Sequence, residues 1–316
     1  MFSFLRPALL NDPKKALELL VKDPNFGLHL CNPNLRVDRK VVLAAVRKRG
    51  DDLEYADPVL RNDPKIALEA IKQNAYAFTF ADPQLQSDPT FIEQAVSING
   101  RTLAYMPQAQ RADINLVKTA VVYDGTVLYK VAESLRDNAS IVQLAVGNEG
   151  KALQWASERL RDDVPTVQMA VGTDGLALRW ASERLRSDVQ TVLRAVKNNG
   201  AALQYASDAL RSDEHVVRTA IENEPTALQF ASDTLQANKE VVYLAVRNNE
   251  VALRYASTYI KSQVGTLRAT KHLGTTEALA HWIDQRHSRT EKQHLEDVIA
   301  KPTRKAAGKK PPRRGL

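Results

Sequence analysis

Basic side chains return every 25 residues at Arg36, Arg61, Arg111, Arg136, Arg161, Arg186 and Arg211, with Lys261 continuing the series and Gln86 and Gln236 interrupting it. Cations at a constant interval could form a track for phosphates or for an acidic partner. Each could equally pair with an Asp two positions later or a Glu three earlier, as Glu158 to Arg161 and Glu183 to Arg186. The expected use is the structural one. Arg161, Arg186 and Arg211 stand as candidate anion-binding residues beside the C-terminal cations Lys301, Arg304, Lys305, Lys309, Lys310, Arg313 and Arg314.

A second column runs Glu54, Thr79, Ala104, Tyr129, Gln154, Arg179, Gln204, Gln229, Arg254. From Gln154 onward it holds only Gln or Arg, types that hydrogen-bond a peptide or a base edge when one side chain per repeat does the reading. Good helix formers on an exposed position give the same composition, and that is the expected origin. The candidate partner-binding set is Gln154, Arg179, Gln204, Gln229 and Arg254, together with an irregular region. There Met106, Pro107 and Gln110 displace the recurring Ala, Ser and Leu, and Lys130 and Val131 displace an aromatic and an Ala. Tyr105, Met106, Tyr123, Tyr129 and Lys130 could form an amphipathic contact patch, because departures from a strong pattern are where strain or function is expected.

Enzyme chemistry would need unlike groups converging on one point. The chain has no phosphate-cradling glycine loop, no HExxH, no nucleophile elbow and no Cys with a plausible His partner. His281, His287 and His294 could share a helix face, but no carboxylate pattern completes a metal site around them. The expectation is a protein that is not an enzyme and uses no cofactor and no metal.

These residues sit in a repeat. Asp38, Asp63, Asp88, Asp113, Asn138, Asp163, Asp188, Asp213 and Asn238 follow one another at 25-residue steps, and an alanine lies seven residues after each. A strict period of this kind predicts a solenoid, whose units are stable only by stacking on neighbours. Asp or Asn accepts from the free amides of a helix's first turn, and Pro13, Pro64 and Pro89 follow such a cap directly. Each unit therefore opens with a helix of about three turns. Glycine twelve residues after the cap, as at Gly50, Gly100, Gly125, Gly150, Gly175 and Gly200, is expected to end that helix in the left-handed conformation. A second helix of about two turns follows, carrying Leu203 and Ala206 and their equivalents, and a tight or 3₁₀ turn leads to the next cap. An aromatic column (Tyr55, Phe80, Tyr105, Trp155, Trp180, Tyr205, Phe230, Tyr255) is expected to be core, as are Trp155 and Trp180 within it. Alanine at the centre of the first helix lets neighbouring helices approach closely.

The expected fold is all-α: a right-handed-type α-solenoid of about ten stacked 25-residue two-helix repeats with helical caps. Its divisions are an N-terminal cap (1–12), the solenoid (13–274), capping helices (275–299) and a disordered basic tail (300–316), with degenerate repeats at Asp12 and Gln263. No run of 18 apolar residues exists, and the N-terminal apolar stretch is too short for a secretory signal. A soluble, cytoplasmic chain is expected. Cys31 is the only cysteine, so no internal disulfide forms. The formal charge of +7 lies entirely within residues 299–316, which hold seven cations and no acid; the rest is neutral. Such a tail reads as a nuclear-import signal, a nucleic-acid arm or a membrane tether.

The pattern D-x-x-V-V-x-x-A-V-x-x-x-G-x-x-L-x-Y-A-S-x-x-L-R, as in residues 188–211, resembles a tandem helical repeat family of unknown function, found in intracellular bacteria that infect amoebae and in some protists. The resemblance covers about 38–262 and weakens at 105–131. It implies no enzymatic activity; it does imply export into a host cell as an effector acting on host proteins. The expected function is a non-enzymatic scaffold binding a protein or peptide, with the basic tail governing location. The alternative is a nucleic-acid-associated protein using the tail and the arginine ridge.

Overall fold

The computed structural model describes residues 10–285. The described chain is helical, and no strand forms in it; one isolated bridge pairs Leu10 with Cys31. It divides into two units, Met1–Glu224 and Pro225–Leu316.

In the first unit every repeat is a ten-residue α-helix, a 3₁₀ helix of up to six residues and a short α-helical turn. The repeat Val189–Asn198, Gly200–Tyr205, Asp208–Arg211 is representative. The caps do what their side-chain chemistry dictates. Asp38 accepts from the Lys40 and Val41 amides, Asp63 from Lys65 and Ile66, and Asp188 from Thr191. The degenerate first repeat keeps this device, with Asp12 capping Pro13–Lys22. Each ten-residue helix packs on the next, from Pro13–Lys22 to Glu214–Asn223, and the 3₁₀ helices stack in a parallel column. The core lies between the two columns. Val192, Ala195, Val196, Ala202 and Leu203 have no solvent exposure, and neither does any alanine of the column from Ala45 to Ala220.

Two expectations about the second half of the repeat are corrected. The Gly-to-aromatic segment is a 3₁₀ helix, whereas the segment taken for a turn, such as Glu183–Arg186, is the α-helical one. In the 3₁₀ helix Ala202 and Leu203 face inward and Gln204 outward. The glycines do not adopt left-handed backbone: none in the described chain has positive φ. Gly200 opens the 3₁₀ helix, and a Cβ there would stand 2.5 Å from the Ala220 carbonyl oxygen of the following repeat. Close approach is thus what selects glycine.

Repeats are also tied by hydrogen bonds. Asn198 accepts from the Gly175 amide at 2.7 Å and donates to the Gly172 carbonyl at 2.8 Å; Asn148 and Asn223 repeat the clamp. In the first unit the residue before a short turn donates its amide to the preceding repeat, as Asp57 does to Arg36 at 3.0 Å, Ser182 to Arg161 at 2.9 Å and Ser207 to Arg186 at 3.0 Å. Pro107 stands at that position in one repeat and has no amide to give, so the link to Gln86 is missing.

The second unit holds Pro225–Phe230, Asp233–Gln236, Lys239–Asn248, Glu250–Tyr255 and Thr258–Lys271. The last runs straight through Gln263, where a further repeat head was expected; Gln replaces the Asp cap, and nothing stops the preceding helix. Residues 275–285 are helical, with Ala278 and Leu279 buried and Trp282 meeting Tyr259 edge-on at 5.8 Å.

Candidate functional site

Part of the arginine column is engaged with backbone carbonyls. Arg36 donates from Nε to the Cys31 carbonyl at 3.0 Å, and Arg111 from Nη1 to Lys130 at 3.2 Å. At the interruptions, Gln86 reaches the Ala81 carbonyl at 2.7 Å and Gln236 the carbonyls of Leu228, Gln229 and Ala231. Arg36, Arg111, Gln86 and Gln236 are thus donors over the C-terminal carbonyls of 3₁₀ helices, the groups that a helix end leaves unpaired. The Nε atoms of Arg111, Arg136, Arg161, Arg186 and Arg211 are buried without a hydrogen-bond partner among the described residues. The expected pairing with the Asp two residues on does not form. Arg161 comes within 3.9 Å of Glu158, Arg211 pairs with Asp208, and Arg186 has no ion pair in the described chain. These guanidiniums are half-buried, which sets them apart from a fully exposed cation ridge.

The aromatic column is corrected from core to surface. Tyr55 and Tyr105 are exposed, and Trp155, Trp180, Tyr205 and Phe230 are half-buried. Because the inward positions of the 3₁₀ turn belong to Ala and Leu, the aromatic ring lies along the edge. Arg179 stacks over Trp180 at 5.2 Å and over Tyr205 at 5.7 Å; Arg254 lies over its neighbour Tyr255. Gln154 and Gln204 are spent on the carbonyls three residues back, at 3.2 and 3.0 Å, and Gln229 is exposed. This column faces solvent, as helix-forming residues on an outer position should.

The irregular patch is only partly assembled. Met106 is 4 % exposed: it replaces alanine in the core and is withdrawn from the expected surface set. Tyr105 pairs with Tyr76 at 5.3 Å, whereas Tyr129 pairs with Trp155 at 5.8 Å and carries Lys130 over its ring. Tyr123, the most exposed of the three tyrosines at 59 %, sits at the end of the Ile114–Tyr123 helix.

Groups that could do covalent or metal chemistry are inert or committed. Burial pushes the Cys31 thiol up, and its Sγ faces the Gly27 carbonyl. Asp52 is buried, taking Arg49 at 2.8 Å and the Leu28 amide at 3.2 Å, so this acid holds the 27–29 loop. His281 contacts Lys271 and Gln285; His287, His294 and the tail cations from Lys301 to Arg314 lie outside the described residues. Among the described residues no three His, Cys, Asp or Glu are grouped to hold a metal.

Sequence reasoning missed a different surface, the outer face of the ten-residue helices. Ala139–Asn148 (ASIVQLAVGN) and Val164–Thr173 (VPTVQMAVGT) carry no charged residue. Val122, Leu144 and Met169 are exposed at 49 %, 39 % and 40 % and line a shallow cavity of about 680 Å³ with Ser140, Gln143 and Gly147. Other repeats place Glu69, Gln94, Thr119, Arg194 or Thr219 where Leu144 and Met169 stand. The signal was available as two adjacent large apolar residues in a column that is polar at Glu69, Gln94, Thr119, Arg194 and Thr219.

Five stretches, 38–86, 63–109, 113–161, 167–211 and 213–261, match the family described as a domain of unknown function (DUF4116). The chain belongs to the DUF4116 family. Each match spans about two 25-residue units, so the family's domain is a pair of the repeats described above. No curated protein and no solved structure matches the chain.

Proposed function

We propose that this DUF4116 chain is a non-enzymatic interaction scaffold that binds a protein or peptide. The observation that carries the reading is the uncharged outer face around Val122, Leu144 and Met169. Contiguous exposed apolar side chains rimmed by polar ones mark interaction sites on soluble proteins. Gly147 strengthens this. Glycine inside a helix costs about 1 kcal/mol relative to Ala. A Cβ there would meet nothing closer than the Met169 sulfur at 3.4 Å, so the fold does not require the glycine. A partner's backbone pressed onto that helix would.

The resemblance to repeat proteins of intracellular bacteria supports an effector acting on host proteins, and the basic tail supports a role in placing it. The nucleic-acid reading would rest mainly on the tail, since the column's arginines are half-buried and Arg36 and Arg111 are engaged with backbone carbonyls.

The test is affinity purification from the native compartment with the full chain and with Leu144→Asp/Met169→Asp. A defined protein recovered with the first and lost with the second, at unchanged circular dichroism, is the expected result. Recovery of nucleic acid by both, released steeply by salt, would favour the alternative.

A further inference from the structure

A second surface of the first unit, separate from the apolar window, has its own charge pattern. On Arg39–Lys48, Arg39, Leu43 and Arg47 follow at steps of four; on Pro64–Gln73, Lys65, Leu68 and Lys72 follow at three and four. Spacings of three and four put residues on one helical face. Each helix therefore presents an apolar residue between two cations. The helices pack side by side, and the two triplets line a single groove of about 600 Å³, continued by Ile98 of the next helix. Leu43 and Leu68 form its half-buried floor, and Ile98 is 43 % exposed.

The cations differ in how they are held. Arg39 pairs with Asp63 at 2.7 Å and Arg47 with Glu69 at 3.0 Å, both across the helix interface, so these arginines brace the groove. Glu69 is the one carboxylate lining it, and Arg47 takes it up. Lys65 and Lys72 are exposed and have no carboxylate within salt-bridge distance among the described residues. What remains is an apolar seam with unneutralised positive charge on both sides.

We propose that this groove docks an amphipathic helix of a partner protein that carries acidic residues along both flanks of its apolar face. The apolar face fills the seam and the carboxylates meet Lys65 and Lys72 on one side or the other, a helix-in-groove mode. Three helices about 9–10 Å apart make a seam of about 20 Å, the length of a helix of about 14 residues. A flat anionic surface would meet the lysines but leave the floor empty. No aromatic ring lines the groove for bases to stack on.

The experiment uses the full chain and a fluorescein-labelled synthetic 15-residue helix with Leu at positions i, i+3, i+4 and i+7 and Glu on both flanks. Fluorescence anisotropy should show saturable binding. Lys65→Glu/Lys72→Glu and Leu68→Asn should each weaken it at least tenfold, with circular dichroism unchanged; if Leu68→Asn unfolds, the exposed Ile98→Ser reports on the seam instead. Leu144→Asp should leave binding intact, which separates failure here from failure of the scaffold reading. No binding overturns the proposal. So does equal binding of the same peptide with Lys for Glu, or charge dependence without dependence on Leu68 and Ile98. Displacement of the peptide by phosphatidylserine vesicles or a single-stranded oligonucleotide with the same Lys65 and Lys72 dependence also overturns it, in favour of an anion-attracting patch.

Discussion

Gly200 lies against the carbonyl of Ala220, twenty residues further along the chain and one repeat away, with no room between them for a side chain. The same pair recurs as Gly100 with Ala120 and Gly175 with Ala195, so two columns of the repeat form one contact. The Ala220 carbonyl also accepts the Glu224 amide at 2.8 Å. The oxygen is therefore held in place and cannot retreat.

Gly200→Ala should accordingly destabilise the chain by about 1–3 kcal/mol, as overpacking does. Gly147→Ala, in a helix where only the Met169 sulfur is near, should stabilise by about 0.5–1 kcal/mol. Urea unfolding midpoints of the two variants decide it, and equal shifts would refute the contact.

Ala195 has no exposure and Gln204 is exposed on the outer edge. Ala195→Leu should cost about 1–3 kcal/mol by wedging repeats apart. Gln204→Ala should stay within about 0.5 kcal/mol. Thermal melts of both check which faces are inside.

Arg36 donates to the carbonyl that Gln86 and Gln236 reach in their own repeats, so glutamine is an adequate substitute there. Arg36→Gln should change stability by less than about 0.5 kcal/mol. Gln236→Leu removes a donor from three carbonyls and should cost about 1–2 kcal/mol. If both were neutral, the carbonyls would have other partners.

Acid should weaken the inter-repeat ties. Burial pushes the Asp124 carboxyl up, but the Thr126 hydroxyl, Arg101 and the Thr126 amide outweigh it and hold the group below its usual value. Asp63 behaves likewise, with burial opposed by Arg39 and by the Ile66 and Lys65 amides. A carboxyl lowered in the folded state contributes stability that is present above the unfolded value of 3.8 and is lost as pH falls below it toward the folded one. Urea midpoints measured between pH 6 and pH 3 should fall less for Asp124→Asn than for the parent chain.

The half-exposed aromatic edge lowers the expected cost of truncation. Trp180→Ala should lose less than the roughly 3–5 kcal/mol of a core tryptophan, and it should free Arg179, which now stacks on Trp180 and Tyr205. A loss in the full core range would return the column to the interior.

Much of this architecture could be read from residue order, because it depends on local chemistry. An Asp at a fixed step caps the helix that follows it through its own side chain, as Asp38 and Asp188 do, and a small residue seven positions later marks the packed face. The repeat, the all-α class, the first helix and the family all follow from that. The candidate surfaces were legible only as columns: Gln204 and Arg179 were correctly placed outside, while Met106 was placed on the surface and is buried.

What order alone could not decide depended on the neighbouring repeat. Whether Gly200–Tyr205 winds as 3₁₀ or α, and how far the ring at 205 is covered, depends on how that segment stacks on Gly175–Trp180. Glycine is required at 200 by a carbonyl supplied twenty residues away, with no turn of its own involved. Arginine at 36 and glutamine at 86 become equivalent only once the chain brings them over the same unpaired carbonyls. The groove of Leu43 and Leu68 likewise exists only where two helices, each an ordinary amphipathic segment by itself, lie side by side and leave lysines without partners.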